Sequence, residues 1–175
     1  LTATIAGTPH PTRRAVLRSG AQPGDIVYIT GSIGASLESG RHLTFEPRIV
    51  EGSWLADTLG DLLHALIDIS DGVGIDAGRV ALASGVSIAL NAEALPLFDS
   101  ARPWRQAIAD GEDYELLFTA APQAFVPPHC PQTGVRVTRV GTVLSPDESN
   151  PPGSVFAHER SADGTHTITN VPTEG

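Results

Sequence analysis

Two aspartates three positions apart, Asp68 and Asp71, flank Ser70 in the run Ile67-Asp68-Ile69-Ser70-Asp71-Gly72. An apolar run that ends in Ser-Asp-Gly predicts a strand turning sharply into a helix, and such a turn points its side chains outward together. Mg²⁺ takes hard oxygen ligands, commonly one or two carboxylates completed by water and phosphate oxygens. Asp68 and Asp71 could supply that pair while the Ser70 hydroxyl bonds a phosphate; the plainer alternative is that Ser70 or Asp71 caps the following helix. A second acidic group lies in Gly111-Glu112-Asp113-Tyr114-Glu115-Leu116-Leu117-Phe118, just before and within a predicted strand. Carboxylates crowded away from water repel unless a cation or donor sits among them. Glu112, at the mouth of the strand, is the candidate for facing a ligand; its alternative is a solvated loop acid.

Basic chemistry is supplied by arginine alone. All 11 basic residues are Arg, so a phosphate loop of the Lys-bearing type and a Lys Schiff base are both excluded. Arg13, Arg14 and Arg18 precede a turn, and Arg18 could offer a guanidinium fork to phosphate oxygens or simply belong to a charged surface. Gly31-Ser32-Ile33-Gly34 could present backbone amides to an anion, or form a tight turn. His10, His42, His64, His129, His158 and His166 show no ligand spacing, and the single Cys130 can neither form an internal disulfide nor complete a zinc site.

The elements that must position these groups are set by periodicity and punctuation. Residues 1–7 alternate as a half-buried strand does, and residues 26–30 read as a buried strand followed by a short helix. Apolar residues at Ile49, Val50, Trp54, Leu55, Leu59, Leu62 and Leu63 predict a helix from 47 to about 64. A short strand at 66–69, a turn at 70–72, a helix at 73–83 closed by Gly85 and a strand at 86–90 come next. A short helix around 104–109, strands at 114–119 and 135–144, with Gly141 as a bulge, and a terminal hairpin of 155–158 and 165–169 turned at Asp163-Gly164 complete the prediction. Strands and helices roughly alternate, so an α+β domain is expected, a mixed sheet with helices packed in α/β/α layers.

A chain of 175 residues fits one domain, and 41% hydrophobic with 18% charged residues is a globular composition without a run long enough to span a membrane. Twenty acidic against eleven basic residues give a net charge of −9, which repels nucleic acids. The cytoplasm is the expected location. The chain contains no Met and opens on Leu1, from which further residues upstream are expected.

Five segments, in order, resemble one family: Leu17-Arg18-Ser19-Gly20-Ala21-Gln22-Pro23-Gly24-Asp25, Val27-Tyr28-Ile29-Thr30-Gly31, Arg41-His42-Leu43 with Pro47-Arg48-Ile49, Ile67-Asp68-Ile69-Ser70-Asp71-Gly72, and Gly111-Glu112-Asp113-Tyr114-Glu115-Leu116-Leu117-Phe118. They look like the carboxy-terminal domain of thiamine-monophosphate kinases, within the aminoimidazole-ribonucleotide synthetase superfamily. The resemblance implies that residues 1–175 are one domain of a longer two-domain enzyme whose amino-terminal ATP- and metal-binding half is absent. It implies transfer of the γ-phosphoryl of ATP to thiamine monophosphate, giving thiamine diphosphate, in a homodimer. Asp68 and Asp71 would hold Mg²⁺, with Asp71 catalytic; Arg18 and Ser70 would contact ATP; Glu112 would meet the thiamine phosphate. Asp110 stands where the family has Gly, the stretch between Ser32 and Arg41 is short, and the aromatic segment that closes over thiamine is not recognisable after Thr169. The alternatives are a sister enzyme, such as aminoimidazole-ribonucleotide synthetase or a hydrogenase-maturation protein, and a non-catalytic binding or assembly module.

Overall fold

The computed structural model describes residues 4, 14–160 and 166–173. Its centre is strand β1 (Ile26–Thr30), whose Ile-Val-Tyr-Ile-Thr sequence is apolar on both faces and therefore suits the middle of a covered sheet. Around it stand β2 (Leu63–Ile69), β3 (Ser87–Asn91), β4 (Glu115–Ala120), β5 (Val137–Leu144), β6 (Val155–Arg160) and β7 (His166–Val171). The sheet order is β2-β4-β1-β5-β3-β6-β7. Every pairing is antiparallel except β3 with β6, so the sheet is mixed as the sequence suggested.

Helices cover both faces. Helix α3 (Val73–Ser84) buries Val73, Ala77, Val80 and Ala81 against Val27, Ile29, Ile69, Leu117 and Val143. On the other face α2 (Ile49–Leu59) places Trp54, Leu55 and Leu59 against Leu63, Leu116, Phe118 and Val137. Alternation along β4 makes the division visible: Leu116 and Phe118 face α2, whereas Leu117 faces α3. Two short helices, α1 (Ser36–Ser39) and α4 (Trp104–Ala107), lie on connections.

The largest departures from the sequence reading lie at the α2–β2 junction, the other boundaries moving by one or two residues. Helix α2 ends at Leu59 instead of about residue 64, because Gly60 takes φ 53° and ψ −125°, off the helical path, and a 3₁₀ turn of Gly60–Leu62 comes after it. Leu63 therefore opens β2, which runs seven residues rather than four. Leu62, half-buried in the 3₁₀ turn, and Leu63, buried at the start of β2, continued the helical period only by coincidence. The bulge anticipated near Gly141 is present: Val27 pairs with Gly141 but Tyr28 with Arg139, leaving Val140 as the extra residue. A Cβ on Gly141 would lie 2.2 Å from the Ala89 carbonyl oxygen, so the close approach of β3 requires glycine there. The strand expected at residues 1–7 and the turn at Asp163-Gly164 lie outside the described residues; the two arms of the terminal hairpin are paired as β6 and β7.

Candidate active site

One rim of the sheet gathers the end of β2, the start of β4 and the loop after β1. Asp68 is the penultimate residue of β2 and is exposed; Ser70 is half-buried; Asp71 is exposed in the turn before α3. The loop carrying Glu112 runs alongside. Glu112 N–H donates to the Ser70 carbonyl at 2.8 Å and Tyr114 N–H to the Ile69 carbonyl at 2.8 Å, extending the β2–β4 ladder beyond Glu115. The acid of the second motif is thus held one hydrogen bond from the first motif. Glu112 and Tyr114 both take left-handed backbone angles, φ 65° and 52°. Such conformations cost energy in residues with a Cβ, and they gather where a site must hold a specific shape. The Tyr114 hydroxyl donates to Glu112 Oε2 at 2.6 Å, and Phe45 stacks on its ring at a centroid distance of 4.1 Å. That hydrogen bond, then desolvation, then the negative field of Glu112, Asp68 and Asp71 raise the phenol pKa.

Helix capping does not account for the turn. The N-cap of α3 is Gly72 at φ 104°, with no side-chain cap bond, and a Cβ there would meet the Ile108 and Asp110 carbonyls at 2.8 and 2.9 Å. The turn is fixed from inside the helix instead. Asp76, fully buried, accepts from the Ser70 and Asp71 amides with Oδ2, both at 3.0 Å, and from Arg79 with Oδ1 at 2.7 Å. Burial raises the Asp76 pKa, against the pull of these donors. Arg79 also pairs with Asp71. The backbone bonds of Ser70 and Asp71 are in this way spent inward, and the Asp71 carboxylate is directed outward.

Arg18 is placed differently. Its segment bonds the edge of β2 through Leu66 N–H to the Leu17 carbonyl, 3.0 Å, which sets the exposed Arg18 beside the middle of the strand. Among the described residues no bond joins it to Asp68, Ser70, Asp71 or Glu112.

The remaining acids of the second motif serve the fold. Buried Glu115 takes a bidentate contact from Arg48, 2.7 and 2.8 Å, and the Thr30 hydroxyl at 2.8 Å. Buried Asp113 accepts from the Gly34 amide at 2.9 and 3.0 Å and from Arg41 at 2.7 Å. Of the turn Gly31-Ser32-Ile33-Gly34, the Gly34 amide thus meets an anion that is the chain's own Asp113, while the Gly31 and Ile33 amides donate to the Arg136 and Pro96 carbonyls. Burial outweighs these donors and raises the Asp113 pKa to about 6. A folded pKa above the ordinary 3.8 means that the folded state holds the proton longer, so this group's stabilising effect is complete below about pH 4 and lost as pH rises through 6. Unfolding midpoints measured from pH 4 to pH 7 are expected to fall more steeply for the parent than for Asp113→Asn; parallel curves would refute the shift.

For a divalent ion, the donor set is Asp68 and Asp71, two outward-facing carboxylates. No group of three or more His, Cys, Asp or Glu side chains among the described residues could enclose a metal. Two carboxylates suit Mg²⁺, which fills its remaining positions with water and phosphate oxygens, so the residues fit an open site of that kind. Tyr114, Phe45 and Arg79 were not singled out from sequence. A tyrosine amid three acids was the available signal for the first; the other two come from 69 residues before it and from the second turn of α3, and only the fold brings them in.

The same fold recurs in hydrogenase maturation protein HypE in complex with ATP, with TM-score 0.64 and 19% identity over 90% of this chain and 55% of that one. The domain is thus of the aminoimidazole-ribonucleotide-synthetase C-terminal-domain-like class, an α+β mixed sheet. A complex of AaThiL with AMPPCP and TMP matches at TM-score 0.59 and 28% identity, over 86% of this chain and 51% of that one. In sequence, the chain is similar to thiamine-monophosphate kinases: it is 39% identical to that of Rhodopirellula baltica over 142 residues, 76% of this chain and 44% of the relative. It therefore spans less than half the length of the curated relative. No family model matches the chain. No helix among the described residues is long and apolar enough to cross a membrane.

Proposed function

We propose that the chain is the carboxy-terminal domain of a longer two-domain enzyme that phosphorylates thiamine monophosphate to thiamine diphosphate with ATP, and that the remainder of that enzyme is needed for turnover. The observation that carries the reading is the joining of the two acidic motifs by the Glu112-to-Ser70 backbone bond, in a chain similar to thiamine-monophosphate kinases. In this reading Asp68 and Asp71 bind Mg²⁺, which would neutralise charge on the phosphates. Ser70 offers its hydroxyl to ATP. Arg18 contacts ATP from the edge of β2. Phosphoryl transfer asks for positioning and charge neutralisation more than for a covalent nucleophile, so a site of carboxylates, hydroxyls and guanidinium suffices. Glu112 faces the acceptor phosphate; two anions meet stably only with positive charge between them, which ties its role to the same cation. A cytoplasmic homodimer completes the reading and rests on the resemblance alone.

The test is acceptor-dependent ADP release by the complete enzyme, with thiamine monophosphate compared against other acceptors. The likeness to HypE favours one rival, a sister enzyme with another acceptor, and release with that acceptor alone would select it. Glu112→Gln is expected to raise the KM for thiamine monophosphate by roughly 10-fold, the scale of one charged hydrogen bond, with the KM for ATP nearly constant. An unchanged acceptor KM would remove Glu112 from the substrate site.

A further inference from the structure

Arg79 is half-exposed, yet both arms of its guanidinium are committed: Nη1 to Asp76 Oδ1 at 2.7 Å and Nη2 to Asp71. The two carboxylates are unlike. Asp76 is fully buried and carries the Ser70 and Asp71 amides as well, whereas Asp71 is 47% exposed and is directed outward. One arm is thus anchored within the protein and the other lies on a carboxylate assigned above to the divalent ion.

We propose that Arg79 is the resident cation of the Asp68–Asp71 turn, competing with a divalent ion for Asp71 and thereby setting the affinity of the turn for that ion. This rests on the metal-binding reading of Asp68 and Asp71. An ion that takes Asp71 must displace Nη2, because the lone pairs bonded to the guanidinium are closed to a metal and the two positive charges repel at that distance. The bond to buried Asp76 keeps the guanidinium tethered beside the turn after displacement, ready to return to Asp71 when the ion leaves. The Ser70 and Asp71 amides, held by the other oxygen of Asp76, keep the turn's shape in both conditions. Arg79 is in these terms a positioning residue that lowers the turn's charge between binding events and weakens the binding of a bare ion.

The experiment titrates Mn²⁺ alone into the 175-residue chain and into the Arg79→Ala, Arg79→Gln and Asp71→Asn variants, with free Mn²⁺ read by electron paramagnetic resonance and folding followed by circular dichroism. The expected result is that both Arg79 variants bind Mn²⁺ at least roughly threefold more tightly than the parent, the scale set by a partly exposed ion pair, while Asp71→Asn binds it more weakly. A gain in affinity cannot arise from a damaged fold, so it separates competition from a merely structural link between the turn and α3. If Asp71→Asn weakens binding but the Arg79 variants match the parent or bind less tightly, the competition is refuted and the metal reading stands. If Asp71→Asn leaves binding unchanged, or if neither parent nor Arg79 variants bind Mn²⁺, the metal reading fails and the competition with it.

Discussion

Arg48→Ala is expected to lower the free energy of unfolding by about 3 kcal/mol, the low end of the cost of removing one partner from a buried ion pair. Glu115 is the reason. Its side chain is only 4% exposed, and its two oxygens take the bidentate fork of Arg48. Without that fork the carboxylate keeps the Thr30 hydroxyl but is otherwise stranded at the junction of β1, β4 and α2. Desolvation of an unpaired carboxylate is the dominant cost, and the lost attraction is secondary. Arg48→Lys should recover only part of the loss, since a single ammonium cannot reproduce the two parallel bonds. Urea unfolding monitored by fluorescence of Trp54 and Trp104 measures the effect. A loss under about 0.5 kcal/mol, typical of an exposed pair, would show that Glu115 is solvated in the folded protein.

Asp71→Asn is the counterpart on the functional side. In the complete enzyme it is expected to lower phosphoryl transfer on the order of 100-fold or more, because the ion's charge stabilisation is worth several kcal/mol and each ~1.4 kcal/mol is a factor of ten. Stability should change little. Asp71 is 47% exposed and its pair with the 40% exposed Arg79 is a surface contact, worth at most about 1 kcal/mol. The shape of the turn is kept by Asp76 and Gly72, which the substitution leaves in place. Full transfer activity in a folded Asp71→Asn enzyme would take Asp71 out of the site, and the proposed mechanism with it.

Most of the sheet is legible from local pattern because its strands are apolar and bounded by turn residues. Residues 26–30 need nothing further. The α2–β2 junction is not, because Leu62 in the 3₁₀ turn and Leu63 in β2 happen to carry the helical period past the end of α2, and only the backbone angles of Gly60 mark the break. At the site, the sequence brings out Asp68, Ser70, Asp71 and Glu112, whose types and clustering are local facts, and the structure draws them to one rim. It cannot sort the three acids of the second motif. Asp113 and Glu115 differ from Glu112 through partners remote in sequence, Gly34 and Arg41 for the first and Thr30 and Arg48 for the second, the two arginines lying 72 and 67 residues away. Arg79 is hidden for a like reason, since its importance comes from a helical turn that aims it back at Asp71.

The strand order has a bearing on how the chain folds. Of the six pairings in β2-β4-β1-β5-β3-β6-β7, only β6 with β7 joins strands adjacent in sequence. Formation of the central pairs must bring together segments as distant as Tyr28 and Phe118, and the entropy of closing such loops is lost before any contact is gained. Folding is therefore slow compared with a helical bundle of equal size. On the ribosome, β1 and β2 wait as unpaired apolar strands until β4 has emerged, which makes that interval the one in which chaperone protection against aggregation matters most.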